Sequence, residues 1–248
     1  MEDKRNGSKE YTEGISIKKG KFLSWLDNYW YHYKWVTIAV AFFLVVFAVC
    51  TLQMCTKEKN DLIVVYAGRD ALTSEKKEDI SRVLEAIMPE DFDGDGQKSA
   101  VVNSFYILSE DQIKEIKAET DENGDAPYVD NSFISSQYQE YGHYMQTGSA
   151  SVLFLDPWLF ESLRAGDRLA KLEDVLGYVP DGAYDEYGVR LGDSALYRDY
   201  AVMKNMHEDT VICIHLPLFA GNSSDEDYYA RETAMFRALV TYGEKNEK

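Results

Sequence analysis

Ser151-Val152-Leu153-Phe154-Leu155-Asp156-Pro157 is the stretch on which the fold turns. A short apolar run that ends in a helix-capping acid and a proline reads as a fully buried strand passing directly into a helix. Leu62-Ile63-Val64-Val65-Tyr66, closed by Ala67-Gly68, has the same character, as does Val211-Ile212-Cys213-Ile214-His215-Leu216. Ala100–Leu108 supplies a further strand. The intervening segments carry helical spacing. Ile80, Val83, Leu84 and Ile87 follow a cap at Thr73 or Ser74 and stop at Pro89, and Ser109 with Gln112 forms a capping-box pattern. Asn131–Gln146 places Phe133, Ile134, Tyr138 and Tyr141 on one face, and Ser223 with Glu226 opens a last helix through Tyr242. Strands alternating with helices of this length predict parallel βαβ units. The expected fold is therefore α/β, a doubly wound, mostly parallel sheet with helices on both faces. The polar stretch Thr120–Pro127 reads as a loop, and residues 175–208 show no clear period.

Upstream of the first strand, Val36–Met54 (VTIAVAFFLVVFAVCTLQM) is almost wholly apolar, and no charge occurs from Trp35 to Thr56. Its nineteen residues extend roughly 28 Å as a helix, close to the ~30 Å of a hydrocarbon core. The plain alternative is a buried soluble helix, which rarely runs so far without a polar side. Lys4, Arg5, Lys9, Lys18, Lys19, Lys21 and Lys34 precede the span, whereas only Lys57 and Lys59 closely follow it. That asymmetry predicts a cytoplasmic N-terminus and an extracellular C-terminal domain in a single-pass protein of the cell membrane. Cys55 after Leu52-Gln53-Met54 is reminiscent of a lipoprotein box, but Gln53 and Met54 are bulky where small residues are expected. Retention as a signal anchor fits better than cleavage. Trp25, Tyr29 and Tyr33, with Phe22 and Leu26, recur at helical spacing before the span and read as an interfacial aromatic collar; a partner-binding helix is the alternative.

The expected organisation is thus a cytoplasmic tail with its collar (1–34), a transmembrane helix (35–56) and one domain (57–248). Lys and Arg total 26 against 43 Asp and Glu, a net charge of −17, which excludes a phosphate-backbone binder and hence a nucleic-acid partner. Three cysteines are too few for a disulfide scaffold and form no zinc-type spacing. The histidines are isolated, and nucleophile-elbow, P-loop and His-Glu-x-x-His motifs are missing, so the chain reads as non-enzymatic.

Gly148–Val175, with its small-residue turn, Val152-Leu153-Phe154-Leu155-Asp156 strand, short helix, Gly166 and Leu169-Ala170-Lys171-Leu172-Glu173-Asp174 segment, resembles the extracellular solute-binding proteins of bacterial importers. The Tyr66-Ala67-Gly68 strand end is similar to that family's first strand. The resemblance is patchy over 80 to 100 residues and implies one lobe of a periplasmic-binding-protein fold, where the family has two. Ser149-Ala150-Ser151 stands where the family usually has a Pro-Asp pair. The collar and span also resemble those of single-pass membrane proteins of Gram-positive bacteria. Two functions follow as expectations. One is a membrane-anchored interaction module working with another protein or a membrane complex. The other is a reduced receptor presenting a sugar or peptide to an ABC-type transporter.

In an open α/β sheet, ligands lie beyond the carboxyl ends of the strands. Those ends offer Tyr66, Gly68, Arg69, Asp156, Trp158 and His215: aromatic rings for stacking, an arginine for a carboxylate, and helix N-termini for anions. Each also has a structural reading, Asp156 as a helix cap, Trp158 as packing and Arg69 as a solvated charge. Finally, Asp91-Phe92-Asp93-Gly94-Asp95-Gly96-Gln97-Lys98-Ser99 looks like the first half of an EF-hand calcium loop. Asp91, Asp93, Asp95, the Gln97 carbonyl and Ser99 would be ligands, with Val102 where a bidentate Glu is expected. A tight Asp/Gly turn without Ca2+ is the competing reading.

Overall fold

The computed structural model describes residues 20–55, 60–119, 126–218 and 221–243, in two compact units. Residues 1–19, most of the expected 120–127 loop, and the side chains of Phe22 and Leu26 lie outside the described ones.

The described residues of the first unit form one helix, α1 (Lys21–Cys55), within which Asn28–Thr51 is long and apolar enough to cross a bilayer. Its apolar side chains, Phe42, Phe43 and Phe47 among them, are exposed all round, which in water would be costly and in lipid is the expected state. Trp25, Tyr29 and Tyr33 stack at centroid distances of 5.7 and 5.3 Å, so the collar spacing does place these rings on one stripe.

Among the described residues, the second unit is a five-stranded α/β layer. In chain order come β1 (Leu62–Gly68), α2 (Ser74–Ile87), β2 (Ala100–Tyr106), α3 (Glu110–Ala118), α4 (Asn131–Thr147), β3 (Val152–Leu155) and α5 (Pro157–Ala165). There follow α6 (Leu172–Leu176), β4 (Gly188–Arg190), α7 (Ala195–Asp199), β5 (Val211–Ile214) and α8 (Glu226–Val240). The stretch 175–208, without a period in the sequence, folds as short pieces too brief to show one.

Alternation along each strand splits the core in two. Leu62, Val64, Tyr66, Val102, Val152, Phe154, Ile212 and Ile214 face α2 and α8. Val65, Ala67, Phe105, Leu153, Leu155, Val211 and Cys213 face α4 and α5. Strands buried on both faces explain the unbroken apolar runs. Thr73 caps α2 and Ser109 closes a capping box on α3, as the spacing predicts. On α8 the cap is Asp225, whose carboxylate accepts from the Asp227 and Tyr228 N–H groups. Ser223 is buried instead, its Oγ accepting from the Leu218 N–H. Of the face expected on α4, Ile134 and Tyr141 are buried with Met145, whereas Phe133 and Tyr138 are half exposed.

The strand order is β2-β1-β3-β5-β4. β1 pairs parallel with β2 and β3, but β5 runs antiparallel to both β3 and β4. Four of the strands therefore share a direction, and the sheet is mostly parallel with one reversed strand. An apolar strand reads the same in either direction, so the sequence pattern carries no sign of the reversal.

Candidate functional site

β1 and β3 end side by side. The Asp156 N–H donates to the Ala67 carbonyl at 2.9 Å and the Ile107 N–H to that of Gly68 at 2.9 Å, so the chain leaves three strands at one sheet edge. From β1 the chain first crosses to β2 on one side, then returns to β3 on the other. The connection thus reverses between β1 and β3, the switch point where open α/β sheets form a crevice.

Arg69 and Asp156 meet at that point. Arg69 Nε donates to Asp156 Oδ2 at 2.8 Å; the carboxylate is 4% exposed and the arginine side chain 30%. Gln112 Nε2 donates to the same oxygen at 3.0 Å. Gln112 is aimed by its capping box, since its Oε1 accepts the Ser109 N–H at 2.8 Å. Beside them, the Tyr66 hydroxyl donates to Asp70 Oδ2 at 2.9 Å and accepts the Asp70 N–H at 3.1 Å. The His207 N–H reaches the same Asp70 oxygen at 2.7 Å. Gly68 makes room for this: a Cβ there would lie 2.9 Å from the Tyr66 hydroxyl and 3.4 Å from Asp156 Cβ.

The electrostatics follow from the packing. Burial, then the charge of Asp70, pushes the Tyr66 hydroxyl far above its ordinary range, so it stays a donor. Burial pulls the Arg69 guanidinium down but is outweighed by its bond to Asp156 and the fields of Asp156, Asp209 and Asp70, which hold it charged. Burial and then Asp70 also raise Tyr106. The edge thus presents a fixed guanidinium within acidic surroundings.

Tyr66, Gly68, Arg69 and Asp156 therefore come together as the strand ends suggest. Asp156 does stand at the N-cap position of α5, but its side chain makes no capping bond and holds Arg69 and Gln112 instead. Trp158 lies in the first turn of α5, with its ring stacked on Tyr138 at 6.1 Å. His215 is not part of the set. Because β5 is reversed, its end lies beyond the start of β3, where the His215 N–H donates to the Ser151 carbonyl at 2.8 Å. His215 is buried there, and burial lowers its ring pKa. Gln112, Asp70 and His207 were not anticipated. Gln112 had a signal in the Ser109 box, and Asp70 follows β1 closely. His207 had none, because it arrives from 137 positions away.

The Asp-rich loop lies at the opposite, amino end of β1 and β2. Asp91 accepts the Gly94 N–H (2.8 Å) and the Gly96 N–H (2.7 Å), bonds that hold its carboxyl below the ordinary range. Gly94 and Gly96 have φ of +76° and +93°, a region glycine enters without strain. Asp93 Oδ1 accepts from Asp95, and Asp95 Oδ1 from Gln97. The addition is Asp61, buried at the start of β1, which accepts the Asp93 and Ser99 N–H groups at 2.9 Å each. One carboxylate oxygen from each of Asp61, Asp91 and Asp93 can lie within 4.8 Å of the others. Asp95 is outside that group, and the Ser99 Oγ accepts the Asp61 N–H at 3.0 Å.

No protein-family model, curated protein or solved structure matches this chain.

Proposed function

We propose that the chain is a membrane-anchored, non-enzymatic binding module. Its N-terminus would lie in the cytoplasm and its α/β unit, akin to a single lobe of a solute-binding protein, on the extracellular face. It would engage a protein of a membrane complex through the carboxyl edge of β1 and β3. The observation that carries this reading is the Arg69–Asp156 pair at the switch point. A buried carboxylate fixes the guanidinium through Nε, and the remaining nitrogens of this partly exposed group would be the donors offered to a partner. Charge-assisted, pre-organised donors of this kind recognise carboxylates and main-chain carbonyls.

External protease added to intact cells tests the orientation, and should digest the α/β unit while sparing residues before the span. A photo-crosslinking residue at exposed Glu110, beside the edge, should trap one membrane-protein partner. The same probe at Leu216, at the opposite edge, should not. The receptor reading is favoured by the same Arg69 geometry. It predicts that a sugar or short peptide raises the Tm of the full chain by several degrees, and that Arg69→Ala abolishes the shift. Protection from protease, or no partner and no ligand, would overturn both readings.

A calcium ion in the Asp91–Ser99 loop is a separate proposal, favoured by Asp61, whose carboxylate lies within 4.8 Å of those of Asp91 and Asp93. Extracellular loops of this kind bind at about 10⁻⁴–10⁻³ M. Calorimetric titration of the full chain with Ca2+ should show one such site, lost in Asp93→Asn; no heat at millimolar Ca2+ would remove it.

A further inference from the structure

β2 is an outer strand with an unfinished ladder. The Ser99 carbonyl accepts from the Leu62 N–H at 3.1 Å, and the Ile107 N–H donates to Gly68 at 2.9 Å. Odd-numbered residues of this stretch therefore turn their backbone groups toward β1, and even-numbered ones turn them away from the sheet. Both ends of that free edge are closed by side chains. The Ala100 N–H donates to Glu85 Oε1 at 3.1 Å and the Tyr106 N–H to Gln137 Oε1 at 3.4 Å. Between them the backbone N–H and C=O groups of Val102 and Ser104 point away from β1, the Val102 side chain lying in the core, and no strand among the described residues pairs with them. Grooves of about 480 and 310 Å³ flank the edge, the first under α2 and the second under α4.

We propose that two copies of this chain join through β2, antiparallel about a two-fold axis at Asn103. The open groups at Val102 and Ser104 are symmetric about Asn103, and so are the closed ones at Ala100 and Tyr106. In antiparallel register Val102 of one copy faces Ser104 of the other, and each N–H meets a carbonyl. The edge is its own complement, as a two-fold interface requires. The same axis brings α2 beside α2 of the second copy. Its groove-lining residues Lys77, Glu78, Arg82 and Glu85 carry two charges of each sign, so no excess of like charge opposes the approach of the two helices. A membrane-held chain also meets its copies in one plane, which raises their effective concentration.

The test uses the full chain in lipid vesicles, with Cys50, Cys55 and Cys213 replaced by Ala. Opposed residues of a non-hydrogen-bonded antiparallel pair have Cα atoms about 4.5 Å apart, within disulfide reach. Mild oxidation of Asn103→Cys should give mostly linked dimer. Ser104→Cys, whose own copies would stand roughly 9 Å apart, should stay monomeric. Ser104→Pro removes one outward N–H and leaves the β1 ladder intact. Added to Asn103→Cys, it should slow cross-linking at least tenfold with an unchanged circular dichroism spectrum. If Asn103→Cys stays monomeric, or links no faster than Ser104→Cys, the proposal fails. That includes the case in which a strand of another protein protects the Val102 and Ser104 amides from exchange.

Discussion

Arg69 and Asp156, 87 positions apart in sequence, close a 2.8 Å ion pair across the ends of two adjacent parallel strands. The pair binds the loop after β1 to the start of α5, and Gln112 adds α3 to the same carboxylate.

Asp156→Ala leaves the Arg69 and Gln112 donors facing a buried void. It should cost about 2–4 kcal/mol of stability in urea denaturation. A double-mutant cycle with Arg69→Ala should return a coupling of about 1–3 kcal/mol. Additive losses would mean that the two side chains do not act as a pair.

Gly68→Ala drives a methyl group against the Tyr66 hydroxyl, 2.9 Å away. Overpacking of this kind costs about 1–3 kcal/mol. In a Tyr66→Phe background the same change should cost distinctly less, because the oxygen it meets is gone. Thermal melts of the two single variants and the double variant decide this.

Glu232 on α8 is 1% exposed and accepts the Ser151 N–H at 2.9 Å. Burial pushes its pKa up to about 7 from an ordinary 4.5, against the lowering effect of the Ser151 bond. Between those values the folded chain keeps a proton that the unfolded chain releases. This carboxyl's contribution is therefore complete below pH 4.5 and lost as pH rises through about 7, a swing on the order of 3 kcal/mol. Glu232→Gln should flatten the stability profile over that window and raise the Tm above pH 7. An unchanged slope would place the proton elsewhere.

Asp61 supports the 91–99 turn from outside it, accepting two backbone N–H groups. Asp61→Ala should cost about 2–3 kcal/mol, since both donors lose a buried partner. Asp95→Ala, at an exposed site with one local bond, should cost far less. Equal losses would show that the loop is held by its own turns alone.

Much of this molecule is legible locally. The strands at 62–68 and 152–155, the Ser109–Gln112 box and the stacked collar follow from spacings of two to four residues. Phe133 and Tyr138 fit the helical period of α4 yet stay half exposed, stacked on the rings of Tyr106 and Trp158 rather than packed into the core. Periodicity marks which way a side chain points and leaves open what meets it there.

By itself the sequence determined the α/β layers, the starts of α2, α3 and α4, and one apolar helix long enough to span a bilayer. Those properties depend on burial and capping within a few residues of each position. Only the tertiary structure decided that β5 is reversed and His215 falls at the wrong end. It alone joined Gln112 to Asp156, brought His207 to Asp70 and set Asp61 beneath the aspartate loop. Strand direction and pairings across tens of residues are settled by how whole elements pack, and hydrophobic pattern is blind to both.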